Sequence, residues 1–318
     1  MTGDPFVLRP LSGSAENLLP RMGALLPETL LPEVSTTHPL ALLLYDRGLK
    51  FWESSWEGLP FLLVQSGGFF FLPAPPPWTI PPGDPRKHLL LHCGFWDLVS
   101  RKLHALNGGF PGYLDSIPSG YAASLPTPPV HADTEVLLCS GEWKNLSGHR
   151  HKTHRWEKNR LLREEPLARV FPWEPRFKKP VQEMLAQFFH EKNARPLGET
   201  ERLLLEDQWH AHQKVLSESA RLGLVGLIVA SKDRPLGIGW FAVLREGKGA
   251  IQFLEARVPG LPGVSVLLTE AFFSLFPEVP LLNIQGDAES PGMRKAKRLE
   301  APCRLSPIHR QTLDGAIP

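Results

Sequence analysis

The sequence predicts a mixed helix-and-sheet (α+β) chain of two domains, and three observations carry that reading. The chain has 318 residues, enough for two ordinary hydrophobic cores. Its first half sets strand-length apolar runs ahead of a helical stretch, and its second half restarts with helices and a new set of strands. Apolar residues make up 42% and charged residues 21%, as expected of a folded soluble protein. Proline, at 33 residues, is about twice average usage and is concentrated in loops such as Pro73–Pro82 and Leu125–Pro129, which signals rigid connections. The formal net charge is only +2, so any polyanion-binding face must be a local patch.

Cys93, Cys139 and Cys303 are odd in number and far apart, with no C-x-x-C pair. They point away from a disulfide framework or structural zinc and toward a reducing cytoplasm. The segment MTGDPFVLRP lacks the charged-then-apolar order of a signal peptide. The longest apolar runs, such as Pro39–Tyr45 and Leu222–Ala230, are far shorter than a membrane span. A soluble, cytoplasmic protein is expected.

Residues 1–35 read as an irregular lead-in. From His38 to Phe71 the runs ALLLY, FLLVQ and GFFFL are separated by Asp46-Arg47-Gly48 and Ser66-Gly67-Gly68, which predicts three neighbouring strands. A helix is expected over His88–Leu106 and a strand over Glu135–Cys139. Lys144–Glu165 is strongly basic, with six Lys or Arg and three His between Gly148 and Arg163. In a helix, Lys152, Arg155, Asn159 and Arg163 share one stripe with Trp156 at its border. Either a solvated linker helix or a phosphate- or RNA-facing helix fits this pattern. No carboxylate or Cys stands at ligand spacing from His149, His151 and His154, so no metal cluster is expected.

The second half predicts a strand at Ala168–Pro172 and helices at Pro180–Asn193 and Glu199–Leu222. A hairpin of Gly223–Ala230 and Gly237–Leu244 follows, then a strand at Ala250–Val258. Ser265–Phe276 is almost wholly apolar, hence a buried helix, and Leu281–Gln285 is a strand. The last helix carries Met293, Ala296 and Leu299 on one side and Arg294, Lys297 and Arg298 on the other, with Lys295 at the flank. His212 reads as a hydrogen-bonded core histidine. The expected domains are residues 1–145, a basic linking helix over 146–166, and residues 167–318.

Two helices, three antiparallel strands, a buried helix, a strand and a helix is the element order of the GNAT acyltransferase fold, in which an activated acyl carrier enters where the third strand splays from the next. The usual coenzyme A loop, Q/R-x-x-G-x-G/A, is replaced here by Arg257-Val-Pro-Gly260-Leu-Pro262. Proline has no N–H to offer a pyrophosphate.

Four segments carry a closer resemblance. They are Leu146-Ser-Gly148 with Arg155 downstream, Glu206 in the long helix, Phe253-Leu-Glu255-Ala-Arg257 followed by Glu270-Ala-Phe272, and Asn283-x-x-x-Asp287 with Gly292-Met-Arg294-Lys295-Ala-Lys297. Together they cover roughly residues 135–310 and resemble the catalytic domain of the phosphatidylglycerol lysyltransferases, whose fold is a tandem of two GNAT-like halves akin to the Fem-type peptidyltransferases. The family's Lys-Arg-Asn is His154-Arg155-Trp156 here, its Asp-Tyr is Glu135-Val136, and its Lys after the strand-end Glu is Arg257.

The resemblance implies transfer of an aminoacyl group from tRNA to a hydroxyl or amine acceptor, which could be a lipid, a peptide or a small molecule, with peripheral membrane contact open and no tightly bound cofactor. It places Glu255 and Asp287 as the carboxylates, and Lys152, Arg155, Arg257, Asn283, Arg294, Lys295 and Lys297 around the carrier. Two other readings stand beside it. One is a coenzyme A-dependent N-acyltransferase with acyl-coenzyme A as donor. The other is a non-catalytic protein that binds RNA or protein through the His149–Arg163 face.

Overall fold

The computed structural model of the chain describes residues 6–79, 93–122, 128–286 and 290–314. By contact density the chain divides into one unit of residues 1–135, 286–290 and 305–318, and another of residues 136–285 and 291–304.

In the first unit, β1 (Arg9–Leu11), β2 (Leu49–Trp56), β3 (Leu59–Ser66) and β4 (Phe69–Phe71) form an antiparallel sheet in chain order. The β2–β3 turn has positive φ at both Glu57 and Gly58, and the β3–β4 turn at both Gly67 and Gly68. That backbone matches the twist of paired strands. Two expectations are corrected here. From Phe6 on, the lead-in contains β1 and a helix, α1 (Ala15–Leu25), that buries Leu18, Met22 and Leu25. The run ALLLY is not a strand but a helix, α2 (Pro39–Leu44), because His38 caps it by accepting the Leu40 N–H and Pro39 sits at its first turn. Strand β2, LKFWESSW, takes the place in the meander that ALLLY was expected to hold.

Helix α3 (Cys93–Leu106) packs Phe95, Val99 and Leu103 against Phe61, Leu63 and Leu72; the part of the expected helix before Cys93 lies outside the described residues, as do Ile80–Pro82 of the proline-rich loop. Strand β5 (Gly112–Pro118) leads into a short turn of helix, α4 (Ser119–Ala122). It pairs antiparallel with a C-terminal strand, β12 (Arg304–Leu313), and neither strand was marked by the hydrophobic pattern.

Strand β6 (Val130–Cys139) enters the second unit at Val136, and a turn of helix, α5 (Ser140–Trp143), follows it. There the basic segment is helical as α6 (Lys152–Glu164). Strand β7 (Ala168–Pro172) and two amphipathic helices, α7 (Lys178–Asn193) and α8 (Glu199–Leu222), come next. The remaining strands are β8 (Val225–Ser231), β9 (Arg234–Val243), β10 (Ala250–Arg257) and β11 (Leu281–Asn283). The strand order in this unit is β6-β11-β10-β9-β8-β7, antiparallel except for the parallel β10–β11 pair. That parallel step requires a crossover, supplied by α9 (Val264–Leu275). Its Val264, Val266, Leu268, Phe272 and Phe273 join Trp143 and Phe241 in the core, each worth about 1.5–3 kcal/mol of burial. The last helix is α10 (Pro291–Leu299).

The cysteine expectation is overturned. Cys139 and Cys303 form a disulfide, with Cα atoms 5.8 Å apart across a sequence separation of 164. Odd number and wide spacing could not reveal a pair brought together by the fold, where the Cys303 N–H bonds to the Leu137 carbonyl of β6. Among the described residues, no helix is long and apolar enough to cross a membrane.

Gly263 caps α9 at φ +84°, and a Cβ there would lie 2.4 Å from the Glu157 carbonyl of α6. Gly263→Ala is therefore expected to cost about 2–4 kcal/mol in urea unfolding. Gly120→Ala, where a Cβ meets nothing within 4 Å, should stay within about 0.5 kcal/mol.

Candidate functional site

Strands β10 and β11 pair only at Ala250–Leu282 and Ile251–Asn283. Beyond those pairs β10 runs on to Arg257 while β11 stops at Asn283, which leaves the splay that the element order predicts. A bulge against β9 between Gln252 and Leu254 re-aims the side chains just past the splay. The half-buried Glu255 stands there. Gln252 Nε2 donates to its Oε2 at 2.7 Å, and the Ser265 hydroxyl of α9 donates to its Oε1. Arg257 Nη1 donates in turn to Ser265 Oγ at 3.1 Å, so guanidinium, hydroxyl and carboxyl form one chain.

Desolvation, with a smaller contribution from the Glu300 charge, raises the Glu255 pKa above the usual carboxylate range against the opposing pull of Ser265, Arg257 and Gln252. Behind β10, the buried His212 of α8 hydrogen-bonds the backbone of Glu255, and burial pushes its pKa down to about 3. The core role read from the sequence is thus where His212 sits. On the α7 side, Lys192 lies 4.6 Å above the Phe188 ring. Desolvation, then the charges of Arg257 and Arg195, lower its pKa, while Glu255 acts the other way. Gln252, Ser265, Lys192 and Arg195 were missed in the sequence. Ser265 had a signal, as a polar residue in the first turn of a mostly apolar helix.

The other expected site residues divide. Asp287 lies outside the described residues. Asn283 is fully buried, and its Oδ1 accepts the Gln285 N–H at 2.6 Å. Lys297 donates to the carbonyls of Ile284 and Gln285, so these two side chains brace the end of β11. That brace draws part of the basic side of α10 inward. Lys297 and Arg294 are half-buried, whereas Ala296 is exposed and Leu299 is 64% exposed. An ammonium that satisfies two strand-end carbonyls outweighs the burial of a narrow apolar stripe. Lys295 is exposed. On α6, Arg155 donates to the carbonyls of Leu146 and Gly148 and so holds the Leu-x-Gly turn, while Lys152, Asn159 and Arg163 lie exposed on the stripe read from the sequence, beside a half-exposed Trp156.

His151 and His154 are buried against Trp143 with their Nδ1 atoms 3.2 Å apart. Among the described residues, no group of three or more His, Cys, Asp or Glu is arranged to hold a metal ion. In the first unit, Glu135 is buried and accepts both the N–H and the O–H of Ser35 at 3.2 and 2.7 Å. It lines a cavity of about 410 Å³ with Asp115, Ser116, Asp133 and Arg310.

No protein-family model matches the sequence, and no curated protein matches it. Solved structures do. A conserved protein of unknown function from Bacteroides thetaiotaomicron superposes with a TM-score of 0.72 at 14% identity, over 96% of this chain and 99% of that one. The C-terminal domain of a protein described as a candidate lysylphosphatidylglycerol synthetase from Agrobacterium fabrum gives a TM-score of 0.54 at 15% identity, over 96% and 88%. L-PGS from Bacillus licheniformis gives 0.55 at 13% identity, over 86% of each chain. At such identities the shared property is the fold. The tandem GNAT-like α+β architecture expected from the sequence motifs is the fold of this chain.

Glu255 and His212 impose opposite pH dependences. The native state favours the protonated Glu255 carboxyl, so stability from this group is present below the ordinary carboxylate range and is lost as pH rises through the raised native value. His212 is held neutral, so its contribution is present above the ordinary imidazole value and is lost as pH falls toward about 3. Glu255→Gln should therefore raise the thermal midpoint more at about pH 8 than at about pH 4. An equal change at both would contradict a raised carboxyl pKa.

Proposed function

We propose that the chain is an acyltransferase that moves an activated acyl group, of the aminoacyl type carried on tRNA, to a hydroxyl or amine acceptor. The observation that supports this most is the Glu255 carboxyl, part-buried and raised in pKa at the splay of β10 and β11. A carboxylate with raised proton affinity is a better general base than one in water. It takes the acceptor's proton as the acceptor attacks the ester carbonyl. The tetrahedral intermediate collapses with cleavage of the acyl C–O bond, and the protonated Glu255 returns its proton to the departing ribose oxygen. Ser265 orients the carboxyl. Arg257, linked to Glu255 through Ser265, sets a positive charge beside the reacting carbonyl or the carrier's phosphates. Asp287 is proposed as the second carboxylate, and Lys152, Lys295 and Arg294 as cations that meet the carrier's phosphates.

The loop after β10 favours a carrier other than coenzyme A. Pro259 and Pro262 have no N–H, and the N–H groups of Val258 and Leu261 are taken by the carbonyls of Leu236 and Val258. Few amides remain to cradle a pyrophosphate.

The test is incubation with charged tRNA and, separately, with acetyl-coenzyme A across a panel of amine and hydroxyl acceptors, following loss of the acyl group. Acceptor-dependent loss from charged tRNA is expected, falling about 100-fold or more in Glu255→Gln. Consumption of acetyl-coenzyme A alone would replace this reading with the coenzyme A-dependent one. No turnover of either carrier would favour a non-catalytic binding protein. Affinity for tRNA should fall steeply with salt, and Lys152→Ala should reduce the slope of log K against log salt by about one; a salt-independent affinity would remove tRNA as the donor.

A further inference from the structure

Ser265 is the second residue of α9 and is half-buried, so its hydroxyl is within reach of a bound molecule. A serine hydroxyl has one proton to give and two lone pairs to offer. The proton is donated to Glu255 Oε1, and Arg257 Nη1 donates to Oγ at 3.1 Å. That leaves one lone pair for a third partner. On the far side of the carboxyl, the buried Gln252 donates to Oε2 at 2.7 Å, so the base that takes the Ser265 proton is held from its other oxygen. We propose that Ser265 is a catalytic nucleophile that carries the acyl group as an ester on Oγ, with Glu255 as its base and Gln252 as the residue that positions that base.

A nucleophile bonded to a base that a third group orients is the arrangement that activates serine for covalent catalysis. The fold goes out of its way to build it. Residues three apart on a regular strand point to opposite faces, and Gln252 could not then reach Glu255. The bulge against β9 between Gln252 and Leu254 brings the two side chains to one side. The charge that develops on Oγ is met by the Arg257 guanidinium and by the positive end of α9.

Transfer then runs as two displacements in place of one. In the first, Oγ attacks the acyl carbonyl of the carrier ester and the hydroxyl proton passes to Glu255. The bond from the acyl carbon to the ribose oxygen breaks, that oxygen takes the proton from Glu255, and the acyl group stays on Oγ. In the second, the acceptor attacks the Ser265 ester and gives its proton to Glu255. The bond to Oγ breaks, and Oγ recovers the proton. Arg257 supplies positive charge to the oxyanion in both. This rests on Glu255 as the base of an acyl-transfer site, but its first test needs no carrier.

The experiment treats the intact protein with a fluorophosphonate, which phosphonylates activated serine hydroxyls with loss of fluoride, and maps the modified residue by peptide mass spectrometry. Ser265 is expected to carry the label, at a rate that falls about 100-fold or more in Glu255→Gln. The charged groups that bear on Glu255 are Arg257 at the end of β10, Glu300 after α10 and Lys192 on α7. With them in place, labelling should slow as pH drops through the raised Glu255 midpoint, because a protonated carboxyl accepts no proton from Ser265. Gln252 favours the carboxylate, so Gln252→Ala should move that profile to higher pH. With charged tRNA and no acceptor, acid-quenched protein should hold the acyl group as an ester on Ser265.

No label on Ser265, or a label whose rate ignores both Glu255→Gln and pH, would overturn the nucleophile. So would transfer that Glu255→Gln abolishes and Ser265→Ala spares, an outcome that leaves Glu255 acting directly on the acceptor. A Glu255-dependent label on Ser265 without turnover of charged tRNA or acetyl-coenzyme A would uphold the nucleophile and remove both carriers.

Discussion

The early separation of β10 from β11 is the constraint on which the rest of the second unit depends. Two residue pairs hold these strands together, and after them the sheet must find other partners for the exposed edge of β10. The bulge at Gln252–Leu254, the Asn283 side chain on the Gln285 N–H and the Lys297 ammonium on two carbonyls all serve the margins of that opening. A carboxyl placed in such an opening loses water from one side without gaining a dedicated cation. That is the physical origin of its raised proton affinity.

Much of the second unit was legible in the sequence. The spacing of α8, the hairpin turn at Lys232 and the apolar run of α9 each carry a strong periodic or punctuation signal, and all three elements are where those signals put them. The first unit was read less well, because its signals are local and conflicting. ALLLY suits a strand by composition and becomes a helix through one histidine cap and one proline. Strands β5 and β12 were unmarked because neither is a clean apolar alternation; β12 carries four polar or charged residues in its second half. The Cys139–Cys303 pairing is tertiary information, which spacing along the chain does not contain.

The candidate site was legible in type and less so in role. Glu255 was identifiable from its position at the end of a buried strand, but its desolvation and the Ser265 and Gln252 donors that hold it depend on a bulge and a helix crossing. Cations were overread. Arg155 and Lys297 look available in a helical projection, yet both donate to backbone carbonyls. A charge counted from sequence becomes a charge offered to a ligand only if the backbone nearby has no claim on it.

The disulfide described above changes the covalent topology of the molecule. It joins the end of β6 to the segment just before β12, so residues 139–303, a sequence separation of 164, form a ring that contains nearly the whole second unit. Apart from residues 286–290, the first unit is then built from the two tails that leave this ring. In an oxidised chain the ring lowers the entropy of the unfolded second unit by an amount equivalent to about 5 kcal/mol for a loop of this length, while the tails gain nothing directly. A nick anywhere within the ring leaves a single covalent molecule, whereas one in either tail releases a piece.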